Sequence, residues 1–392
     1  MMDQSILFVS NGLGEDTIAA SVALEIKKRD GGLSLLALPL VGEGRAYESI
    51  GIRSLGPRRM MPSGGLIPES HLKNILTDIK GGFLRMTLEH IRVLRKVKSS
   101  LRGIVAVGDA IPVLFSALFG RRPLIFIGTA RSDYFYAYSS LEKHLFRKSC
   151  SLVFPRDEPT AASLRASGVN ARWVGNAMMD CIPVTEEDFG IPNGDTCIGI
   201  LPGSREITYR DFPILLEAVE RLSSIQYFLA APAPSIDEER LAAIAENKGW
   251  RRSGLSDDSR RGIAIRLSRS GSQLLIIKER FGDVLKCSSL IIGQAGTANE
   301  QAVGMGKPVV SYDSYNSRKP GWYRARQKGL LGEAMTVVSR DPQAIASEVV
   351  RILGDPALFK KMKEAGFQRM GPPGAAGKMA ESILEEYGVN DV

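Results

Sequence analysis

Short apolar runs rich in β-branched residues alternate with longer helical stretches along almost the whole chain. Nearly continuous apolar strands separated by helices are typical of parallel sheets that are covered on both faces. Two such sets follow one another, and they predict an α/β protein with two doubly wound, Rossmann-like domains. The predicted strands are Ile6–Ser10, Leu33–Leu38, Ile104–Val107, Leu124–Ile127, Leu152–Phe154 and Arg172–Val174 in the first set, and Cys197–Leu201, Ile225–Leu229, Gln273–Ile277, Leu290–Ile292, Pro308–Tyr312 and Met335–Val338 in the second.

The boundary between the two predicted domains is expected at Pro183–Asp195, where prolines, glycines and acidic residues replace the apolar rhythm. Residues 1–182 are therefore interpreted as an N-terminal Rossmann-like domain, and residues 196–371 as a C-terminal one. Residues 372–392 begin at a Pro-Pro pair and end in a predicted helix, Ala376–Tyr387. The sequence leaves the packing partner of this helix open, and packing back on the N-terminal domain is one arrangement.

Length and apolar runs limit the class of protein. A chain of 392 residues, 24% of them charged, is expected to be globular and to form two or three domains, each with its own core. The first four residues lack the basic start of a signal peptide. The longest apolar run, Ile111–Phe119, has about half the length that a membrane-spanning helix needs. We therefore expect a cytoplasmic protein, or one that contacts the cytoplasmic membrane face only peripherally.

The net charge and the number of cysteines and histidines limit the kinds of ligand and metal that the protein could bind. The net charge of +8 favours anionic partners such as nucleotides, phosphates or an acidic membrane surface, although it is equally compatible with simple solubility. The four cysteines and three histidines show no ligand spacing, so we expect reduced thiols and no metal site. A nucleic-acid partner is not expected, and the oligomeric state is not encoded in any pattern that we can interpret.

The segment "LPGSRE" follows the first predicted strand of the C-terminal domain and precedes a helix. Gly203 would let the backbone approach a phosphate, Ser204 offers a hydroxyl, and Arg205 offers a guanidinium fork suited to phosphate oxygens. An ordinary strand-to-helix turn with a surface arginine is the alternative, because glycine turns are frequent at such junctions. The segment is thus a candidate phosphate site.

A second strand–loop–helix junction, "GQAGTANEQ", strengthens this interpretation. A helix that begins near Ala298, after small residues, presents free N–H groups to an anion. One turn further, side-chain acceptors could bind ribose hydroxyls. Two such junctions in one domain favour a nucleotide diphosphate. The candidate residues of this second junction are Gln294, Gly296, Thr297, Ala298, Glu300 and Gln301.

The N-terminal domain carries polar residues at the ends of its predicted strands. Asp109 follows an apolar strand, and it would act either as a helix cap or as a general base that accepts a proton from a hydroxyl. The first strand is followed by a glycine loop with two carboxylates, which suit a sugar or acceptor better than a phosphate. The predicted substrate-contacting residues are Asn11, Gly12, Gly14, Glu15, Asp16 and, later in the domain, Asn176.

The region after Gly56 departs from the regular alternation. The loop Gly56–Ser70 carries Met60, Met61, Leu66 and Ile67, and a predicted amphipathic helix follows with a basic continuation. A solvated surface helix is the simple interpretation, and a surface that meets an anionic membrane or a lipid-linked acceptor is the alternative. The apolar helix positions are Leu72, Ile75, Leu76, Ile79 and Phe83, and the basic ones are Arg85, Arg92, Arg95, Lys96, Lys98 and Arg102.

Taken together, these motifs resemble those of lipid-A-disaccharide synthase and its related proteins. The resemblance runs almost end to end, and its two C-terminal motifs are the more specific ones. The matching segments are Ser10–Asp16, Val107–Ala110, Val174–Asp180, Leu201–Arg205 and Ala295–Val310.

The resemblance implies a glycosyltransferase of GT-B architecture, with two Rossmann-like domains that face each other across a cleft. The C-terminal domain would hold a UDP-sugar as co-substrate and the N-terminal domain an acceptor, without a metal or another cofactor. By the same resemblance, Asp109 falls on the catalytic aspartate, and Arg205 with Gly296–Thr297 falls on the diphosphate site. The sequence departs from the family where Gln301 replaces a glutamate and Asn176 a histidine. The aromatic segment Arg131–His144 does not resemble the corresponding stretch of the synthase, so the resemblance does not imply the same acceptor.

The leading hypothesis is therefore transfer of a sugar from a UDP-sugar to an acceptor, which could be a glycolipid. A nucleotide-sugar epimerase shares the architecture, but it needs acid–base groups on both sides of the sugar, and the chain has few histidines. A non-catalytic nucleotide-sugar-binding protein is the third hypothesis, because the fold alone does not determine function.

Overall fold

The computed structural model describes residues 5–59, 82–120, 123–254, 257–313 and 321–389. The chain divides into two compact units, Met1–Cys181 together with Pro373–Val392, and Ile182–Pro372. The methionine-bearing loop from Met60 onward and the predicted helix positions up to residue 81 lie outside the described residues. Each unit is built on its own sheet.

The first unit contains a six-stranded parallel sheet with strand order β3-β2-β1-β4-β5-β6. Its central strands are buried on both faces, as expected for a sheet covered by helices. The strands are β1 (Ser5–Ser10), β2 (Leu35–Pro39), β3 (Arg53–Ser54), β4 (Leu101–Gly108), β5 (Leu124–Gly128) and β6 (Leu152–Phe154), and the helices that precede the second unit are α1 (Leu13–Arg29), α2 (Arg45–Glu48), α3 (Phe83–Val97), α4 (Ala110–Phe119), α5 (Ser140–Ser149) and α6 (Glu158–Ala166).

The second unit contains an eight-stranded sheet with strand order β14-β13-β12-β7-β8-β11-β10-β9. The six strands from β14 to β11 are parallel, whereas β10 and β9 are antiparallel. The strands are β7 (Cys197–Leu201), β8 (Tyr227–Ala230), β9 (Arg251–Arg252), β10 (Ile263–Arg269), β11 (Ser272–Ile277), β12 (Leu290–Gly293), β13 (Val309–Tyr312) and β14 (Met335–Val338), and the helices are α7 (Ile207–Glu220), α8 (Glu238–Asn247), α9 (Phe281–Cys287), α10 (Thr297–Gly304), α11 (Trp322–Leu331), α12 (Pro342–Gly354) and α13 (Pro356–Met370).

The fold class predicted from the sequence is confirmed. The two-residue strands β3 and β9 were not predicted, and two longer segments also differ from the prediction. The predicted strand Arg172–Val174 is wrong, because only Ala171 forms an isolated bridge, to Val153, before the chain turns away. The antiparallel hairpin of β10 and β11 was missed. Its two-residue turn, Ser270-Gly271, has positive φ at both positions, which is the geometry of a tight hairpin.

The last helix, α14 (Ala375–Glu386), completes the core of the first unit against α1. The Asp180 carboxylate accepts a hydrogen bond from the Ala376 amide at 2.7 Å, at the first turn of the helix. At the other end, the Tyr387 hydroxyl donates to the Ile104 carbonyl of β4 at 2.5 Å. Helices α1 and α14 therefore share one core, although the whole second unit separates them in sequence.

Candidate active site

The first unit has its topological switch point between β1 and β4, because successive strands lead away from this pair in opposite directions. Ligands of open parallel sheets bind outside the carboxyl ends of the strands at such a point. The residues directly after β1 are Asn11 and Gly12, and the residue directly after β4 is Asp109. The structure thus places these three sequence-predicted residues at one sheet edge.

Gly108, the last residue of β4, explains how this edge is assembled. Its φ is +131°, a backbone conformation that favours glycine. A Cβ at this position would overlap the side-chain oxygen of Asn11 and lie 3.2 Å from Cγ of Glu15. The absence of a side chain at Gly108 therefore lets Asn11 and Glu15 pack directly against the end of β4, next to Asp109.

Asp109 caps helix α4. Its Oδ1 accepts a hydrogen bond from the Ile111 amide at 2.8 Å. Burial raises the pKa of the Asp109 carboxyl, while this hydrogen bond, a hydrogen bond with Asn11 and the charge of Arg131 act in the opposite direction. The side chain is only half-buried, so the structure combines the capping role with exposure to ligand.

Glu15 lies in the first turn of α1, and burial raises the pKa of its carboxyl. The negative charge of Asp109 raises this pKa further, which indicates that the two carboxylates share one electrostatic environment. Arg131, which follows β5, is the nearby cation that the sequence interpretation missed. It pairs with Glu142 at 3.5 Å and lies over the ring of Tyr136 at 3.9 Å. Arg131 follows the parallel strand β5 by only a few residues, and this position in the sequence indicates a side chain near the sheet edge.

Asp16 faces the interior of the unit, with a relative exposure of 1%. The Ser10 hydroxyl donates to its Oδ1 at 2.6 Å and lies 2.7 Å from the Tyr47 hydroxyl, so the three side chains form a buried polar network. Burial raises the pKa of the Asp16 carboxyl to about 6. The structure therefore separates Asp16 from Glu15, its neighbour in sequence. Gly14 has open space above it, at the exposed start of α1.

Asn176 is also buried, with a relative exposure of 6%. Its Oδ1 accepts from the Met178 amide at 3.1 Å, and within the described part of the chain its Nδ2 has no hydrogen-bond partner. The side chain thus caps the turn Ala177–Cys181. Among the described residues, no hydrogen bond links Asn176 to the sheet edge formed by β1 and β4.

The second unit has its own switch point, between β7 and β12. The Gln294 amide donates to the Leu201 carbonyl at 2.7 Å, so the loops after the two strands begin side by side. Gly203 has φ +105°, and its missing Cβ would lie 3.5 Å from the Gln294 carbonyl oxygen. The two junctions predicted from the sequence are therefore neighbours at one sheet edge.

In the first of these loops, Ser204 and Arg205 are exposed. Within the described ranges, the Arg205 guanidinium forms no hydrogen bond or ion pair. The turn itself is held by Thr208, whose hydroxyl donates to the Pro202 carbonyl at 3.1 Å. This turn thus carries an exposed arginine that has no partner among the residues that the structure describes.

The second loop is built by two side chains of α11. The Arg324 guanidinium donates to the carbonyls of Gln294 at 2.8 Å and Ala295 at 3.2 Å. The Gln327 amide donates to the carbonyls of Ala295 at 3.2 Å and Gly296 at 2.9 Å. Both side chains are at least nine-tenths buried. Three successive carbonyls of the loop are therefore held by α11.

The amide groups that follow these carbonyls have no such partners. The N–H groups of Ala295, Gly296, Thr297 and Ala298 donate to no acceptor among the residues that the structure describes. Four successive amides at a helix N-terminus form a binding site for an anion. Arg324 adds a positive charge directly beneath them, because arginine stays protonated even though burial lowers its pKa.

The remaining sequence-predicted residues of this loop differ in accessibility. The Gln294 side chain is 9% exposed, and its oxygen accepts from Arg324 at 2.7 Å, so it supports the loop from within. Thr297 is exposed, whereas Glu300 and Gln301 are half-buried on the first turns of α10. Arg324 and Gln327 were missed by sequence analysis, because nothing in their local pattern distinguishes them from surface residues of an ordinary helix.

Among the described residues, no group of three or more His, Cys, Asp or Glu side chains could hold a metal ion. This holds for both of the sheet edges described above. Likewise, no described helix is long and apolar enough to cross a membrane.

Two doubly wound units, each with its strand-end loops at a switch point, define the class of fold that nucleotide-sugar enzymes of GT-B architecture share. The solved structure of CalG4, a calicheamicin glycosyltransferase, superposes with a TM-score of 0.63 at 15% identity and covers 98% of this chain and 99% of its own. A UDP-GlcNAc 2-epimerase from Neisseria meningitidis superposes with a TM-score of 0.59 at 15% identity, over 99% and 100% of the two chains. Transferases and epimerases thus share this fold.

In sequence, the chain is similar to lipid-A-disaccharide synthases, which confirms the resemblance seen in its motifs. It is 28% identical to the synthase of Geobacter sulfurreducens over 267 residues, 61% of this chain and 62% of that protein. It is 26% identical to the synthase of Myxococcus xanthus over 279 residues, 63% and 64% of the two chains. The match therefore spans less than two thirds of these relatives. No protein-family model matches the chain.

Proposed function

We propose that this protein is a glycosyltransferase that moves a sugar from a UDP-sugar to an acceptor hydroxyl. The observation that carries the proposal is the row of four unpaired amides, Ala295–Ala298, above the buried charge of Arg324. The similarity to lipid-A-disaccharide synthases supports the same reaction class.

In this proposal the second unit binds the donor. The amides of the loop and the start of α10 would hold one phosphate of the diphosphate, and Arg205 would supply a mobile guanidinium for another oxygen. The loop amides would stabilise the negative charge that develops as the diphosphate leaves, because they are oriented before the reaction begins. Gln301 and Glu300, on the next turn, are the proposed ribose-binding residues. The proposal requires no metal.

The first unit would bind the acceptor, with Asp109 as general base. In the transfer, the acceptor oxygen forms a bond to the anomeric carbon, and the bond from that carbon to the diphosphate breaks. UDP leaves with the bonding electron pair, and the hydroxyl proton passes to the Asp109 carboxylate. Asn11, Gly12 and Glu15, at the same sheet edge, are proposed to bind hydroxyls of the acceptor.

We further propose that the acceptor is lipid-linked and that the protein contacts an anionic membrane surface from the cytoplasmic side. Helices α3 and α4 are neighbours, since the rings of His90 and Phe115 meet at 6.5 Å. Both helices expose leucines one turn apart, and α3 also exposes basic side chains, namely Arg85, Arg92, Arg95 and Lys96. The exposed leucines, here called the leucine patch, are Leu84 (59%), Leu88 (53%), Leu114 (47%) and Leu118 (65%).

The proposal is tested by calorimetric titration of UDP and by a transfer assay. The assay incubates radiolabelled UDP-sugars with a bacterial lipid extract and follows the label into the organic phase. We expect UDP to bind, and Arg205→Ala to weaken binding about tenfold or more, the cost of a charge-assisted hydrogen bond. Arg210→Ala, an exposed arginine on α7, is the matched control and should bind UDP like wild type.

The same experiments separate the alternatives. Conversion of the UDP-sugar into an epimer without an acceptor would indicate an epimerase. Tight UDP binding without label transfer or epimer formation would favour a binding protein. Absence of UDP binding by the wild-type chain would exclude the donor site.

A further inference from the structure

Tyr323, the second residue of α11, occupies a distinctive position at the anion site. Its hydroxyl oxygen lies 2.6 Å from the point that a Cβ on Gly296 would take. Gly296 is the residue that directly precedes α10, and its own amide is one of the four unpaired ones. The phenolic oxygen is thus next to the middle of the amide row, in the space that glycine leaves open.

This hydroxyl is available to a ligand. The Tyr323 side chain is 44% exposed, whereas the next residue in the chain, Arg324, is buried. Over the described stretches of the chain, its hydroxyl donates to no acceptor. A phenol that reaches an anion site without an internal acceptor has its proton free for a bound oxygen.

The hydroxyl is also held in place. The Arg324 guanidinium lies 5.3 Å from the centre of the Tyr323 ring. Arg324 and Gln327, on the same helix, fix the carbonyls of the Gln294–Gly296 loop. The helix that carries Tyr323 therefore also determines where the amides are. The loop and the helix that carries the hydroxyl are thus joined by hydrogen bonds, which lowers the entropy lost when a ligand binds to both.

We propose that the Tyr323 hydroxyl binds the donor diphosphate directly and donates a hydrogen bond to an oxygen of the phosphate seated on the Ala295–Ala298 amides. This inference rests on the proposed function, whose donor site it extends to a residue of α11. The proposal also explains why residue 296 is a glycine, since any side chain at this position would displace the Tyr323 hydroxyl.

The test compares UDP affinity of the wild-type chain and Tyr323→Phe by isothermal titration calorimetry. The substitution removes one oxygen atom and leaves the ring in place. We expect the Kd for UDP to rise about tenfold, as for loss of a hydrogen bond to a charged oxygen at a partly exposed site. Thermal unfolding of the variant should match wild type, because the hydroxyl has no acceptor within the described ranges.

Tyr136→Phe is the matched control. Tyr136 is 43% exposed and lies beneath an arginine, Arg131, but it belongs to the first unit. Its replacement should leave the Kd for UDP within about twofold of wild type. If wild type binds UDP and Tyr323→Phe binds it equally well, the inference is wrong while the donor site stands. If wild type binds no UDP, the donor site and this inference fail together.

Discussion

The buried guanidinium of Arg324 donates to both oxygens of Gln294, the backbone carbonyl at 2.8 Å and the side-chain oxygen at 2.7 Å. Thirty positions separate the two residues in the chain. This contact turns the loop carbonyls toward α11 and so determines which backbone groups remain for a ligand.

Replacing Arg324 by lysine should therefore disrupt the anion site although the charge is kept. Lysine has no planar fork, so it cannot satisfy the Gln294 and Ala295 carbonyls together. We expect the free energy of unfolding to fall by about 2 kcal/mol and the Kd for UDP to rise more than tenfold. Urea unfolding and calorimetry measure the two effects. Arg326→Lys, on the same helix, is the control, and equal behaviour of the two variants would contradict the assignment.

Replacing Asp109 by asparagine should abolish transfer without unfolding the protein. Asparagine caps helices about as well as aspartate, so the cap of α4 is kept and the proton acceptor is lost. We expect the rate of transfer to fall by about 10²–10⁴ with unchanged UDP affinity. Burial raises the pKa of Asp109, so the wild-type rate should fall on the acid side at a higher pH than for an exposed aspartate.

The control for this change is Asp237→Asn, another N-cap, whose carboxylate accepts from the Glu239 amide at 2.9 Å in α8. It tests whether cap substitution alone affects the rate. Full activity of the Asp109 variant would remove Asp109 from the chemistry and leave it as a cap.

Asp16 should make the stability of the protein depend on pH. Its pKa is about 6 in the folded state and 3.8 in its ordinary state, so folding favours the protonated form. Its stabilising contribution is therefore complete below about pH 4 and is lost as the pH rises through about 6, a change of about 3 kcal/mol. Asp16→Asn should remove this part of the pH dependence, because asparagine carries no charge and still accepts from Ser10.

Urea unfolding of the full chain between about pH 4 and pH 7 measures this effect. Asp30→Asn, at the C-cap of the same helix, is the control and should keep the wild-type dependence. A variant at position 16 with an unchanged pH profile would show that Asp16 titrates normally.

The leucine patch should determine binding to membranes. Replacing Leu84 and Leu88 together by serine should weaken binding to vesicles with anionic lipids at least tenfold, since each leucine that enters the lipid contributes about 1.5–3 kcal/mol. Vesicle sedimentation at low salt measures the loss. Val350→Ser, with 54% exposure in the second unit, is the control. Wild-type protein that ignores anionic vesicles at low ionic strength would refute the membrane proposal.

Local patterns were sufficient for much of the architecture. Apolar runs predicted all the parallel strands except the two-residue β3, because burial on both faces leaves a continuous apolar signature in the sequence. The glycines at positions 203 and 296 indicated the two loops that we propose as the anion site, since turns that bring backbone close to a ligand need small residues. Strand β10, the partner of β11 in the hairpin, was missed, because Arg266, Ser268 and Arg269 interrupt its apolar pattern.

The sequence by itself therefore determined the order of strands and helices and the loops at which ligands could bind, because these depend on neighbours in the chain. The tertiary structure decided which side chains complete those loops. Arg324 reaches Gln294, Tyr323 reaches Gly296, and Tyr387 reaches Ile104 from 283 residues away. It also decided that Asp16 faces the core while Glu15 faces the sheet edge. Such contacts follow from the packing of helices on sheets, which a local pattern does not contain.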